Sequence, residues 1–251
     1  MLKEKKSLPE LQLAVMFHVK HHSTDRDANG DVSRETSALS PTLLVVAGGR
    51  APQAEWLRAV SSGKAVYAAD RGALCCLEAG VVPLELYGDC DSTTEQVYEA
   101  ALSSGTQVQR FNPAKDDTDL QLLLKQLPPG DILATGIWGG RFDHLYSNVY
   151  TLLGMKEQRG CGVMLADEQE FMLLLSAGEM AELELNTEAE AISLLPLSAE
   201  SCVDFTGVRW PLQKALLRQL YPYAISNEAQ AEKICCKCYT GALGLYIKFA
   251  G

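Results

Sequence analysis

The stretch TLLVVAGGRAPQAEWLRAVSSGKAVYAAD, residues 42–70, decides how the chain is built. Residues 42–49 are an apolar run closed by Gly48 and Gly49, the signature of a strand buried on both faces. QAEWLRAVSS, 53–62, spaces its apolar residues at the helical period. KAVYAAD, 64–70, is again a continuous apolar run, ending on Asp70. Strand, helix and strand joined by short links make a βαβ unit, which requires its two strands to run parallel.

The alternation continues outward. Helical GALCCLEAG (72–80) is followed by strand LELYG (84–88), helical TEQVYEAALSS (94–104) and strand TQVQRF (106–111). TDLQLLLKQL (118–127) reads as a helix with Thr118 or Asp117 as N-cap. Strand DILATGI (131–137), helix RFDHLYSNVYTLLGMK (141–156) and strand CGVMLAD (161–167) complete a mostly parallel sheet covered on both faces. Beyond residue 167 the period changes. EFMLLLSAGEMAELEL, EAISLLPLS, SCVDFTGVRW, YAISNEA and KICCKCYTGALGLYIKF are short strand-like runs between Gly, Ser, Asn and Glu clusters, and YTGALG has the look of a hairpin turn. This half reads as an antiparallel all-β domain, a small sandwich or barrel. The expected boundaries are a flexible extension over 1–41, an α/β domain over 42–167 and a β domain over 168–251.

Bulk properties narrow the function classes. The 251 residues are 47% hydrophobic and 22% charged, an ordinary globular balance. A net charge of −10 disfavours nucleic acid and anionic membranes as partners. The apolar part of MLKEKKSLPELQLAVMFHVKHH is interrupted by His18 and Lys20, so neither a signal peptide nor a membrane span is expected, and a cytoplasmic location is. Cysteines at 75, 76, 90, 161, 202, 235, 236 and 238 match no common zinc spacing and read as reduced, mostly buried thiols.

The chemistry gathers where strands end. LYGDCDS, 86–92, leaves a strand through Gly88 and sets Asp89 and Asp91 two residues apart, on one side of an extended backbone. Two carboxylates ~5 Å apart repel by roughly 3 kcal/mol at an effective dielectric of about 20, so solvent screens them or a cation sits between them. Asp70 closes the preceding strand. NPAKDDTD, with Lys115, Asp116, Asp117 and Asp119, follows the next one, and WGGRFDH, with Gly139, Gly140, Arg141, Asp143 and His144, follows strand 131–137. In an open parallel sheet these loops emerge at one edge, where such folds bind ligands. Oxygen-rich, histidine-poor acids suit Mg²⁺ and substrate phosphates. Glycines at a helix start, with Arg141 and Lys115, suit phosphate oxygens. Phosphoryl or pyrophosphoryl transfer is the chemistry this combination describes. Each piece has a plainer role as well: Asp70 as a helix cap, GGR as a tight turn, His144 as a packed histidine.

AADRGA, GVVPLELYGDCDS, KDDTDL, GGRFDH, VRWPL and AISNE, in that order, closely resemble the thiamine pyrophosphokinase family over residues 43–249. The resemblance implies a Rossmann-like catalytic domain, a C-terminal β-sandwich and a homodimer with active sites between subunits. It implies transfer of pyrophosphate from ATP to the hydroxyl of thiamine, with Mg²⁺. By motif, Asp70, Asp89, Asp91 and Asp119 would hold Mg²⁺ and do the catalytic work. Lys115, Gly139, Gly140, Arg141 and Asp143 would bind the nucleotide, while Trp210, Ser226 and Asn227 would bind thiamine. Thiamine carries a permanent cation, which an aromatic face attracts, and an Asn amide can donate and accept along an aminopyrimidine edge. Two departures stand out. Arg71 and Leu74 replace a glycine and an asparagine of the family's A-D-G-G-A-N, and Ala224 replaces a serine. Arg71 either crowds the nucleotide or adds a phosphate contact. A catalytically silent thiamine or nucleotide sensor, and a Mg-ATP transferase acting on another alcohol, are the alternative readings.

Overall fold

The computed structural model describes residues 17–20, 41–88, 95–111, 116–185 and 188–250. They fall into two compact units, residues 41–168, and residues 169–251 together with part of the N-terminal segment. Strand β1, Phe17–Lys20, belongs to the second.

In the first unit, β2 (Leu43–Val46) is buried along its whole length. Its neighbours are β3 (Ala65–Ala69), β4 (Glu85–Gly88), β5 (Gln107–Arg110), β6 (Ile132–Thr135) and β7 (Val163–Ala166). All pair in parallel, in the order β7-β6-β2-β3-β4-β5. The helices between them are α1 (Ala54–Ser61), α2 (Gly72–Ala79), α3 (Glu95–Ser103), α4 (Asp119–Gln126) and α5 (Phe142–Arg159). Local chemistry sets their ends. Gly80 and Gly160 close α2 and α5 in the left-handed conformation, at φ 66° and 64°, which glycine adopts without steric cost. Thr118 rather than Asp117 caps α4, and Gln121 returns the bond in a capping box. The chain steps from β2 through β3 and β4 to β5 on one side of the sheet. It then crosses to β6 and β7 on the other, so the strand order reverses between β2 and β6.

The second unit holds β8 (Glu170–Ser176), β9 (Met180–Glu184), β10 (Ala189–Pro196), β11 (Glu200–Thr206), β12 (Leu212–Arg218), β13 (Lys233–Thr240) and β14 (Ala242–Phe249). One antiparallel sheet runs β1-β9-β13-β11-β12. In the other antiparallel set, β14 lies between β10 and β8. The expected hairpin at YTGALG has another outcome. Gly241, at φ 80°, turns the chain tightly, yet β13 pairs with β9 and β11 while β14 pairs with β8 and β10. The turn therefore carries the chain from one sheet to the other. YAISNEA contributes only isolated bridges, Ile192 with Asn227 and Val208 with Ala229. Strand β12, absent from the sequence reading, is mostly exposed, so it lacks the alternation by which strands are recognised. Within the segment expected as an extension, Phe17–Lys20 pairs with β9.

Candidate active site

Two loops meet where the strand order reverses. Ala47 N–H donates to Thr135 O at 2.8 Å, Gly49 N–H to Gly136 O at 2.7 Å and Arg50 N–H to Trp138 O at 2.6 Å, zipping the β2 exit to the β6 exit. Only glycine fits this seam. A Cβ on Gly49 would stand 2.5 Å from Gly136 O, and Gly136, at φ +67°, would drive one into Ala47 O. Beside the seam opens a cleft of about 610 Å³, at the C-terminal edge of the parallel sheet. That is the crevice in which open α/β sheets bind ligands.

The cleft gathers residues far apart in sequence. Ala47, Gly48 and Gly49 come from the β2 exit, Asp70 and Arg71 from β3, and Asp117–Leu120 from the start of α4. Gly139, Gly140 and Arg141 come from the β6 exit, and His144 and Asn148 from α5. Asp70 sits at φ 51° with its N–H donating to Tyr87 O at 2.9 Å, which ties the end of β3 to β4. Gly88 lies alongside it: a Cβ there would run into the Tyr98 hydroxyl, while Asp70 Oδ1 would stand at ordinary contact distance, 3.6 Å. Asp119 is the inward acid of its loop, 7% exposed at the first turn of α4. Asp116 is exposed, and Asp117 is paired with Lys125 at 2.6 Å.

Arg141 precedes α5 and makes no side-chain cap there; His144 N–H donates to Asp143 Oδ1 at 3.0 Å, which leaves the N–H groups of Phe142 and Asp143 at the helix start for an anion. The Arg141 guanidinium pairs with Asp143, Nε to Oδ1 at 3.1 Å and Nη2 to Oδ2 at 2.5 Å. That hydrogen bond raises the Arg141 pKa and holds the Asp143 carboxyl below its usual range. Asp143 itself does not line the cleft.

Asp70, Asp119, Gly139, Gly140 and Arg141 thus share one cleft, while Asp89, Asp91 and Lys115 lie outside the described residues. Among the described residues no group of three or more His, Cys, Asp or Glu is placed to hold a metal ion. Two carboxylates on one cleft do suit Mg²⁺, which takes one or two protein carboxylates and leaves its other positions to water and substrate phosphates. Sequence reasoning missed Gly48, Gly49 and Asn148. The first two read only as a strand end. Asn148 follows Arg141 and His144 at helical spacing, a signal that was present in the sequence.

In the second unit, Trp210 is 52% exposed, with the Arg209 guanidinium 4.8 Å from its ring centroid. Asn227 is buried. Its Oδ1 accepts from Trp210 N–H at 3.1 Å and Glu228 N–H at 2.9 Å, and its Nδ2 donates to Trp210 O at 2.9 Å. Ser226 is exposed at φ 57°, its N–H donating to Ser193 Oγ at 3.0 Å.

A parallel sheet with an acid- and glycine-lined cleft at its reversal point defines a nucleotide-handling α/β protein. The family model described as "Thiamin pyrophosphokinase, catalytic domain" matches residues 57–165. A thiamine pyrophosphokinase of Bacillus subtilis (strain 168) is 32% identical over 164 residues, 63% of this chain and 75% of that protein. Thiamine pyrophosphokinase 2 of Oryza sativa subsp. japonica is 27% identical over 165 residues, 61% of each chain. The crystal structure of the Bacillus subtilis thiamine pyrophosphokinase superposes with a TM-score of 0.72 at 27% identity, covering 83% of this chain and 99% of that one. A thiamin pyrophosphokinase structure from Candida albicans, at 16% identity, reaches the same TM-score over 84% and 92%, a likeness of fold. The chain belongs to the thiamine pyrophosphokinase family.

Proposed function

We propose that the chain transfers the pyrophosphoryl group of ATP to the hydroxyl of thiamine, giving thiamine diphosphate and AMP. The observation that carries this is the convergence of Asp70, Asp119 and the Gly139–Gly140–Arg141 turn on one cleft, in a chain of this family. The thiamine oxygen forms a bond to the β-phosphorus as the bond from that phosphorus to the α-phosphate bridging oxygen breaks. AMP leaves, and the hydroxyl proton passes to a carboxylate of the cleft. The chain's part is placement, because reactants held in line need little further covalent help. The N–H groups at the start of α5 and the Arg141 side chain face phosphate oxygens. Arg141 turns from Asp143 toward them.

Asp70 and Asp119, with Asp89 and Asp91, would hold Mg²⁺, which when bound neutralises phosphate charge. Trp210 offers thiamine the ring face not covered by Arg209. Ser226, next to Asn227 in the chain, would meet the polar edge of thiamine, and Asn227 holds the Trp210 backbone in place. We read the first unit as Rossmann-like, supported by its strand order, and the second as a β-sandwich, supported by its two antiparallel sheets. A homodimer, with thiamine of one subunit's β unit meeting the cleft of the other, accounts for the exposed Trp210, Leu220, Tyr221, Tyr223 and Ile225. The cytoplasm is the compartment that this ATP-dependent reaction and the free thiols suit. Among the described residues no helix is long and apolar enough to cross a membrane.

The test is AMP release from ATP with and without thiamine and Mg²⁺. AMP that appears only when all three are present is the expected result. A folded, ATP-binding preparation that releases none would refute the reading.

A further inference from the structure

We infer that Arg71 is a phosphate-binding residue, gripping the polyphosphate tail of the bound nucleotide from the turn between β3 and α2. The inference rests on the proposed use of the cleft and deepens it. Arg71 follows Asp70 directly, lines the cleft and is exposed to it. Its guanidinium makes no hydrogen bond or ion pair with the described residues. Of the two other arginines beside these loops, Arg50 is held by Asp167, and Arg141 must first leave its exposed pair with Asp143 to reach a phosphate. Arg71 is therefore the cleft arginine whose donors are unspent, in a chain whose net charge is −10.

The backbone accommodates the side chain without strain. Arg71 stands at φ −61°, ψ −13°, ordinary right-handed geometry that any L-residue adopts. The motif's glycine is thus not needed here for conformation. Bare Gly48 lies alongside: a Cβ placed on it would be 3.4 Å from Arg71 Cβ and 3.5 Å from Asp70 Cβ, so a phosphate can approach the turn closely. The first turn of α2 contains no acidic residue, leaving the helix start and Arg71 with the same sign of attraction. A planar fork of donors suits bidentate contact with phosphate oxygens. Because Arg71 neighbours a proposed Mg²⁺-binding aspartate, the contact falls on the triphosphate tail rather than on the nucleoside.

Titration calorimetry of wild type, Arg71→Gly, Arg71→Met and Arg71→Lys tests this, with a Mg²⁺-loaded non-hydrolysable ATP analogue and with AMP as probes. The Gly and Met variants are expected to bind the analogue about tenfold more weakly, the scale of one charge-assisted hydrogen bond. AMP affinity should move by less than about twofold, and Lys should lie between wild type and Met. The KM for ATP should follow the analogue while the KM for thiamine stays put. Unchanged or tighter analogue binding in Arg71→Gly would overturn the inference, as would equal loss for AMP and the analogue. A wild type that binds the analogue but makes no AMP with thiamine defeats the transfer reading alone, and the binding contrast still decides the role of Arg71.

Discussion

Arg50 grips a single oxygen of Asp167, with Nη2 at 2.6 Å and Nε at 3.0 Å from Oδ2, and the Asp167 side chain is fully buried. The two residues follow β2 and β7, so the pair reaches across the exit of β6 that lies between those strands. Arg50 also bounds the Gly139 turn: a Cβ on Gly139 would stand 3.1 Å from Arg50 Cβ. Removing the guanidinium takes away a cation from a buried carboxylate, a change that costs far more than the pair contributes when intact. Arg50→Met is expected to lower stability by about 3 kcal/mol, read as an earlier urea midpoint. Arg50→Lys should recover only part, because a point charge cannot supply both donors. A midpoint unchanged in Arg50→Met would mean the pair is not what closes this edge of the sheet.

Asp119 is nearly buried, yet its side chain lines the cleft at the first turn of α4. Asparagine keeps its volume and still suits a helix start, so Asp119→Asn should fold with an unaltered thermal midpoint. Turnover should fall at least about a hundredfold, since a lost anionic ligand misplaces both metal and phosphate. Asp70→Asn should behave the same way. AMP release and circular-dichroism melts measured on one preparation separate the two effects. Turnover near wild type, with the same Mg²⁺ requirement, would place the metal elsewhere.

The sequence carried most of the α/β half because its strands, apart from the polar Gln107–Arg110, are apolar runs and several of its helices have a cap or a glycine stop. Leu43–Val46 and Gly80 are examples. Convergence of Asp70, Asp119 and Arg141 was legible too, since parallel strands put all their exits at one edge. The β half was harder. The tight turn at Gly241 looks like a hairpin in the letters, but which strand pairs with which depends on partners distant in the chain. The loop seam at Gly49 and Gly136 was invisible for a similar reason, because it exists only once β2 and β6 lie side by side. The engagement of Asn227 with Trp210 was equally hidden, as the residues stand 17 apart.

Asn227 spends both acceptor positions of Oδ1 on backbone N–H groups and one donor on Trp210 O. An Asn that paired directly with thiamine would need its oxygen free. We therefore expect Asn227→Ala to act through Trp210: indole fluorescence shifts in the ligand-free protein, and the KM for thiamine rises about tenfold, with the KM for ATP unchanged. Asn227→Asp keeps the acceptor toward two N–H groups and loses the donor, so it should retain more thiamine affinity than Ala. Trp210→Ala should cost thiamine use as much as Asn227→Ala, and the double variant no more than either alone, because the two act as one unit. Additive losses would show that Asn227 touches the substrate itself.

Buried thiols give the chain an alkaline limit. Burial pushes Cys76 from an ordinary 9.0 up to about 12, and it drives Cys236 well above its usual value. Tyr87 is raised as well, first by burial and then by its hydrogen bond to Glu85. The sign follows from proton binding. Below pH 9 folded and unfolded chains both hold the thiol proton, and stability does not depend on it. Between about 9 and 12 the unfolded thiol ionises while the folded one does not, so the unfolded state gains and stability falls as pH rises. For one thiol with this shift the loss reaches about 2 kcal/mol by pH 10.5. Urea midpoints should be level from pH 7 to 8.5 and then drop, and Cys76→Ala should flatten part of that slope. The same burial predicts slow alkylation of Cys76 and Cys236 at pH 8 until urea opens the fold. Rapid labelling of either in the native protein, or a midpoint that holds to pH 11, would show that these thiols are not shielded as their surroundings require.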